Sequence, residues 1–123
     1  MSANSQGKTP GFVPPFKVQL HVEGERGVLM TLPPAPRVLV GRTDDDSQTD
    51  LGIDLAPLGG ASKGVSRIHA AFFYQDNLLH VEDLESTNGT RINGMTLLPN
   101  KPYRLRDGDE LEFGSARLIV RLR

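Results

Sequence analysis

The chain has 123 residues, the length of one domain; two domains would each be too small to bury a proper core. Hydrophobic residues at 37% and charged residues at 24% argue for a folded soluble protein and against a disordered one. A formal net charge of -1 supplies no global field toward nucleic acid or an acidic membrane, and the lack of cysteine removes disulfides, zinc thiolates and a thiol nucleophile.

Residues 1–16 (MSANSQGKTPGFVPPF) are rich in Ser, Gly and Pro and read as a flexible tail or linker. Within them, Thr9-Pro10 has the form of a proline-directed phosphosite, although a linker threonine is the commoner reading. From Lys17 the pattern changes. In KVQLHV, Val18, Leu20 and Val22 alternate with Lys17, Gln19 and His21, the period of a half-buried strand. The turn from Glu23 to Gly27 leads to a strand over VLMTL (28–32), which Pro33, Pro34 and Pro36 break. A third strand, Arg37 to Val40, ends at Gly41-Arg42.

Residues 43–65 read as mostly irregular, with an acidic run (Asp44, Asp45, Asp46), a short IDL segment and the glycine-rich GGASKG. The acidic run lacks the central Gly and terminal Glu of a calcium loop and reads as solvated. GGASKG lacks the Gly-Lys-Ser/Thr of a phosphate-binding P-loop. Strands follow over Ile68 to Tyr74, LLHVEDL (78–84), Arg91-Ile92 and Met95 to Leu97, the last two joined by an Asn93-Gly94 hairpin turn. Tyr103 to Leu105, ELEF (110–113) and RLIVRL (117–122) complete the set, and Arg123 follows directly, as in an excised or C-terminal domain. No segment carries a helical period, and the 13 Gly and 9 Pro fit many tight turns. The predicted fold is an all-β antiparallel sandwich. Its predicted core is Val18, Leu20, Val40, Ile68, Phe72, Val81, Ile92, Leu111, Phe113, Leu118 and Val120.

Chemistry-bearing residues concentrate at strand ends and in loops. Arg42 offers a planar fork of donors suited to a phosphate, with Gly41 before it allowing a sharp turn. Ser66 can donate a hydroxyl, and Lys63 adds positive potential nearby. Three or four charge-assisted hydrogen bonds, at about 1.5–3 kcal/mol each and offset by ordering costs, give micromolar binding near about −8 kcal/mol.

Five motifs stand in order: Gly41-Arg42; Ser66 with His69; Asp83-Leu84-Glu85-Ser86-Thr87-Asn88-Gly89-Thr90; Asn93-Gly94; and Leu105-Arg106-Asp107-Gly108-Asp109-Glu110-Leu111-Glu112-Phe113-Gly114. In this order they resemble the forkhead-associated (FHA) domain family over about residues 17–123. The resemblance implies a twisted sandwich of about eleven strands that binds phosphothreonine peptides through loops at one end, without catalysis or cofactor. It implies that Arg42 and Ser66 hold the phosphate, that Arg67 adds a phosphate-side contact and that Thr87 lies beside the phosphothreonine. Asn88 would bond the peptide backbone and His69 would brace the loops from beneath, with Gly89 supplying a positive-φ turn. The implied partner is a phosphothreonine-containing protein, with a Ser/Thr kinase upstream and no nucleic acid or membrane. The stretch between Arg42 and Ser66 is longer than in a typical member, which enlarges one loop.

Two other functions compete. A hydrolase built on Ser66 and His69 needs an acid to orient the imidazole and an oxyanion hole, and no motif supplies them. A phosphate-independent module of the same fold is disfavoured because Arg42 and Ser66 are both present. The three histidines show no metal spacing, so no metal is predicted. Asn88-Gly89-Thr90 matches a glycosylation sequon, but Met1 to Gly7 is polar and lacks a signal core. With no apolar run near the ~20 residues of a membrane span, a cytoplasmic location is expected.

Overall fold

Alternating side chains bury one face of strands such as Val18–Val22 and Leu78–Asp83, and the computed structural model, which describes residues 11–24, 27–44 and 50–123, arranges the strands in two sheets. They are β1 (Val18–Val22), β2 (Leu29–Thr31), β3 (Arg37–Gly41), β4 (Ile53–Asp54), β5 (Ile68–Gln75), β6 (Leu78–Asp83), β7 (Thr90–Ile92), β8 (Met95–Thr96), β9 (Tyr103–Arg104), β10 (Glu110–Phe113) and β11 (Ala116–Leu122). A 3-10 turn at Ala56–Leu58 is the one helical element among the described residues. No helix there is long and apolar enough to cross a membrane.

One sheet runs β2-β1-β11-β10-β7-β8, the other β4-β3-β5-β6-β9. All ladders are antiparallel except β3 with β4, which pair in parallel, Val40 opposite Ile53 and Gly41 opposite Asp54. A parallel pair needs a crossover rather than a hairpin. The long connection from Arg42 to β4 supplies it, so part of the lengthened loop returns to the sheet edge. Asn93 and Gly94 have φ of 50° and 84°, the two positive values of the predicted hairpin turn.

Between the sheets lie Val18, Leu20, Val40, Phe72, Val81, Leu111, Phe113, Leu118 and Val120, all nearly inaccessible to solvent. Phe72 and Phe113 meet edge to face, ring centres 6.1 Å apart. Ile68 departs from the predicted core and is 43% exposed. A register shift between Val40 and Gly41 interrupts the β3–β5 ladder where β5 begins. There His69 is the buried side chain, packed edge-on against Phe113 at 5.4 Å, and Ile68 is turned outward. The polarity of His69 concealed this in the sequence, because an imidazole with partners for both nitrogens fits a core as well as an isoleucine does.

The N-terminal segment reaches the sandwich before residue 17: Phe12 and Phe16 lie 5.6 and 5.9 Å from the Tyr74 ring. Burial raises the Tyr74 phenol above its ordinary pKa. The rest of the predicted tail, with Thr9-Pro10, lies outside the described residues, as do Asp45 and Asp46 of the acidic run.

Candidate functional site

The antiparallel course of β3, β5 and β6 brings the end of β3, the start of β5 and the end of β6 to one end of the sandwich. Four loops meet there: residues 42–44, 59–67, 84–89 and the 114–115 turn between β10 and β11.

Gly41 permits the first close approach. Arg42 N–H donates to the Arg67 carbonyl at 3.2 Å, and a side-chain carbon on Gly41 would lie 2.0 Å from that same oxygen. Gly41 is absent from the positive-φ glycines, so its role is room for a crossing backbone and not the sharp turn predicted from sequence. Arg42 then turns its side chain across the β5 entry, where its Nε donates to the Val65 carbonyl at 2.6 Å. That bond uses one edge of the guanidinium and leaves the Nη nitrogens for an anion. The next residue is anchored too. Asp54 accepts from the Thr43 amide at 3.0 Å, the Thr43 hydroxyl at 2.6 Å and the Ala56 amide at 3.0 Å. Burial opposes the Asp54 charge, but these three donors outweigh it and hold the carboxyl below its ordinary pKa.

His69 is fully buried and joins two loops. Its Nδ1 accepts from the Ser66 amide at 3.0 Å, which makes Nε2 the protonated nitrogen. Nε2–H donates to the Gly89 carbonyl at 2.9 Å. Gly89 has φ of 83°, as its predicted turn role requires, and its carbonyl also accepts from Gly114 N–H at 3.1 Å. Burial lowers the His69 pKa below 6.5, against weaker upward pulls from the Gly89 carbonyl and the Asp83 charge.

Asp83 organises the 84–89 loop. Only 2% exposed, it accepts from the Ser86 amide and hydroxyl and from the Thr90 hydroxyl. The Ser86 oxygen in turn accepts from Gly89 N–H at 3.0 Å. Burial works against the Asp83 charge, but the Ser86 and Thr90 bonds prevail and keep its pKa below the ordinary value. This brace presents Thr87 to Ser66, whose hydroxyl oxygen accepts from Thr87 N–H at 3.0 Å. The Ser66 hydrogen therefore remains to be donated elsewhere.

The glycine-rich 59–64 stretch is a tight double turn against the same platform, with Val65 N–H bonded to the Gly60 carbonyl and Ser115 N–H to the Lys63 carbonyl. Asn88 Nδ2 donates to the Gly64 carbonyl at 3.0 Å, so this side chain already ties two loops together. Lys63 is half-buried and Asn88 exposed. Arg67 projects from the platform with its side chain 64% exposed.

The structure thus brings Gly41, Arg42, Lys63, Ser66, Arg67, His69, Thr87, Asn88 and Gly89 into one loop cluster. Sequence reading missed three acids. Asp83 stood within the quoted block without a role, and its three-residue spacing from Ser86 is the available signal, since Asp side chains cap such turns. Asp54 and Asp44 carry no comparable local signature. Asp44, read as part of a solvated run, instead pairs with both Arg42 and Arg67.

Comparison with known proteins agrees with this arrangement. The family model described as "FHA domain" matches residues 38–114. Protein FraH of Nostoc sp. is 34% identical over 102 residues, 82% of this chain and 34% of that protein. The chain thus spans about a third of the length of that curated relative. Among solved structures, one on phosphothreonine-dependent FHA domain interactions is 27% identical with a TM-score of 0.67, covering 87% of this chain and 97% of that one. The FHA domain of FhaA, complexed with the intracellular domain of Rv3910, is 28% identical with a TM-score of 0.65, covering 85% and 99%. With its strand order, its braced loop end and a family model matching well over half its length, this chain belongs to the FHA domain family.

Proposed function

We propose that this chain is a phosphothreonine-dependent peptide-binding module, an adaptor that recognises partner proteins after a Ser/Thr kinase has modified them. The observation that carries the reading is the pairing of a pinned arginine with a serine hydroxyl that still has its hydrogen. Arg42 is fixed through Nε to the Val65 carbonyl, and the next residue, Ser66, accepts from Thr87 N–H. A phosphate of roughly −1.5 to −2 charge has three acceptor oxygens for such donors. Arg42 and Ser66 hold it, Arg67 approaches from the exposed side, and Thr87 flanks the phosphothreonine. Asn88 and Lys63 serve the rest of the peptide, Asn88 through the carbonyl of its amide. The phosphothreonine-dependent interactions of a solved FHA relative support the same reading.

Binding without catalysis is part of the proposal. Ser66 approaches His69 through its backbone amide, and the buried imidazole has both nitrogens engaged. That is the geometry of a brace and not of a general base beside a nucleophile. A cytoplasmic setting, with the binding unit in residues 17–123 and the segment before it a linker whose Phe12 and Phe16 pack on Tyr74, completes the reading.

One peptide titrated in four forms tests it: phosphothreonine, phosphoserine, aspartate and unmodified threonine. Affinity is expected to fall in that order. Phosphoserine lacks a methyl worth about 0.8 kcal/mol, and aspartate brings too few oxygens and too little charge. Arg42→Ala is expected to weaken the phosphothreonine form at least about tenfold, and Ser66→Ala by about 1–2 kcal/mol. Unchanged binding in Arg42→Ala, with the fold intact by circular dichroism, would refute the assignment.

A further inference from the structure

Arg42 and Arg67 already share an anion. The Asp44 oxygen Oδ2 lies 3.8 Å from Arg42 Nη1, and the same oxygen accepts from Arg67 Nε. Asp44 reaches this position because its neighbour is held: Asp54 grips both the amide and the hydroxyl of Thr43. On either side of that fixed residue, Arg42 and Asp44 come together across the β5 entry, where Arg67 meets them. A carboxylate of the chain itself therefore stands between the two guanidinium groups assigned to the phosphate.

We propose that Asp44 is an internal competitor for the phosphate site, an affinity-setting residue that an incoming phosphate must displace. The inference rests on the phosphate-binding reading of Arg42 and Arg67 given above. Asp44 is two residues from Arg42, so its effective concentration at the site is that of a short tether, on the order of millimolar or more. A peptide carboxylate brings the same charge and the same two oxygens and gains nothing by the exchange. A phosphate brings up to about twice the charge and a third oxygen. It can bond Arg42, Arg67 and Ser66 together, which Asp44 does not.

The competition has a defined signature. A group that occupies the site for part of the time divides every anion's affinity by the same factor. It leaves the ratio between ligands unchanged but raises the threshold for all. Acidic sequences, weak to begin with, then fall below useful occupancy, while phosphothreonine remains above it. Asp44 so sets which anions fill the site at a given concentration.

The test uses Asp44→Asn, close in shape and uncharged, with Asp44→Ala beside it. Each variant and the wild type are titrated with a phosphothreonine peptide by calorimetry. Inorganic phosphate is titrated in parallel, followed by the NMR signals of the arginine Nε–H groups. Both affinities are expected to rise by one common factor, about threefold to tenfold, the range that two partly exposed ion pairs can hold closed. Affinities equal to or below wild type in both variants would overturn the proposal and make Asp44 a residue that orients the arginines. Unequal gains for the two ligands, where the peptide binds in a phosphate-dependent way, would also overturn it. Should inorganic phosphate gain while the phosphothreonine peptide binds no better than its unmodified form, the peptide reading fails and the competitor stands. Should the peptide bind wild type strongly and neither variant gain, the competitor alone fails.

Discussion

Replacing His69 by alanine separates a brace from a ligand. The imidazole is fully buried, lies edge-on to Phe113 at 5.4 Å and spends both nitrogens on loop backbone. Truncating a buried ring of this kind costs about 2–4 kcal/mol through lost packing and the cavity left behind. The two hydrogen bonds are not lost equally. The Gly89 carbonyl keeps the Gly114 amide, whereas the Ser66 amide loses its one partner. Orphaning this part-buried donor adds up to about 1–3 kcal/mol, for a total of about 3–7 kcal/mol. A domain of this size holds only about 5–15 kcal/mol against unfolding, so the variant should be near the edge of folding at room temperature. Urea denaturation followed by circular dichroism measures the loss, and a phosphothreonine peptide titration at low temperature measures what the folded fraction still binds. Lost stability with binding retained in the folded fraction is the expected result. An unfolding free energy within about 1 kcal/mol of wild type with binding abolished would refute the reasoning and make His69 a direct ligand.

Acidification should reproduce part of this effect. Burial lowers the folded-state pKa of His69 below 6.5, so the unfolded chain takes up the proton first as pH falls. The stability is fully present above the unfolded value and is lost as pH falls through the folded one, by at most about 1.4 kcal/mol per pH unit for one proton. Denaturation midpoints taken from about pH 7.5 downward should decline over this range in wild type and be flatter in His69→Ala; equal slopes would exclude His69 as the source. Asp83, Asp54 and Glu112 also have lowered pKa values, and their contribution is present at neutral pH and lost only below the ordinary carboxylate range. Gly41→Ala should fail for a different reason, because its methyl would lie 2.0 Å from the Arg67 carbonyl oxygen and a backbone segment must move. We expect a loss well above the roughly 1 kcal/mol of a Gly→Ala change at an open positive-φ turn such as Gly94, with phosphopeptide binding lost as well; a melting temperature equal to wild type would count against the close approach.

The strands other than β4, which falls in a stretch read as mostly irregular, their order along the chain and the hairpin turns were legible in the sequence because they depend on neighbours. Val18, Leu20 and Val22 alternate with polar residues over a few positions, and Asn93-Gly94 has the positive φ values that its chemistry allows. The site motifs were legible for a related reason: each is a short run whose residues share one loop. What tertiary structure alone decided concerns partners far apart along the chain. The parallel pairing of β3 with β4, the outward turn of Ile68 and the close approach that requires Gly41 all arise where a lengthened loop and an irregular ladder meet. Local hydrophobicity carries no record of such crossings. Asp44 is the plainest case. An acidic run reads as solvated because charge favours water, yet Asp44 lies between Arg42 and Arg67, and Arg67 is 23 residues away. A salt bridge is a property of where two side chains arrive, and that is settled by Asp54 gripping Thr43 and by β5 starting beside β3.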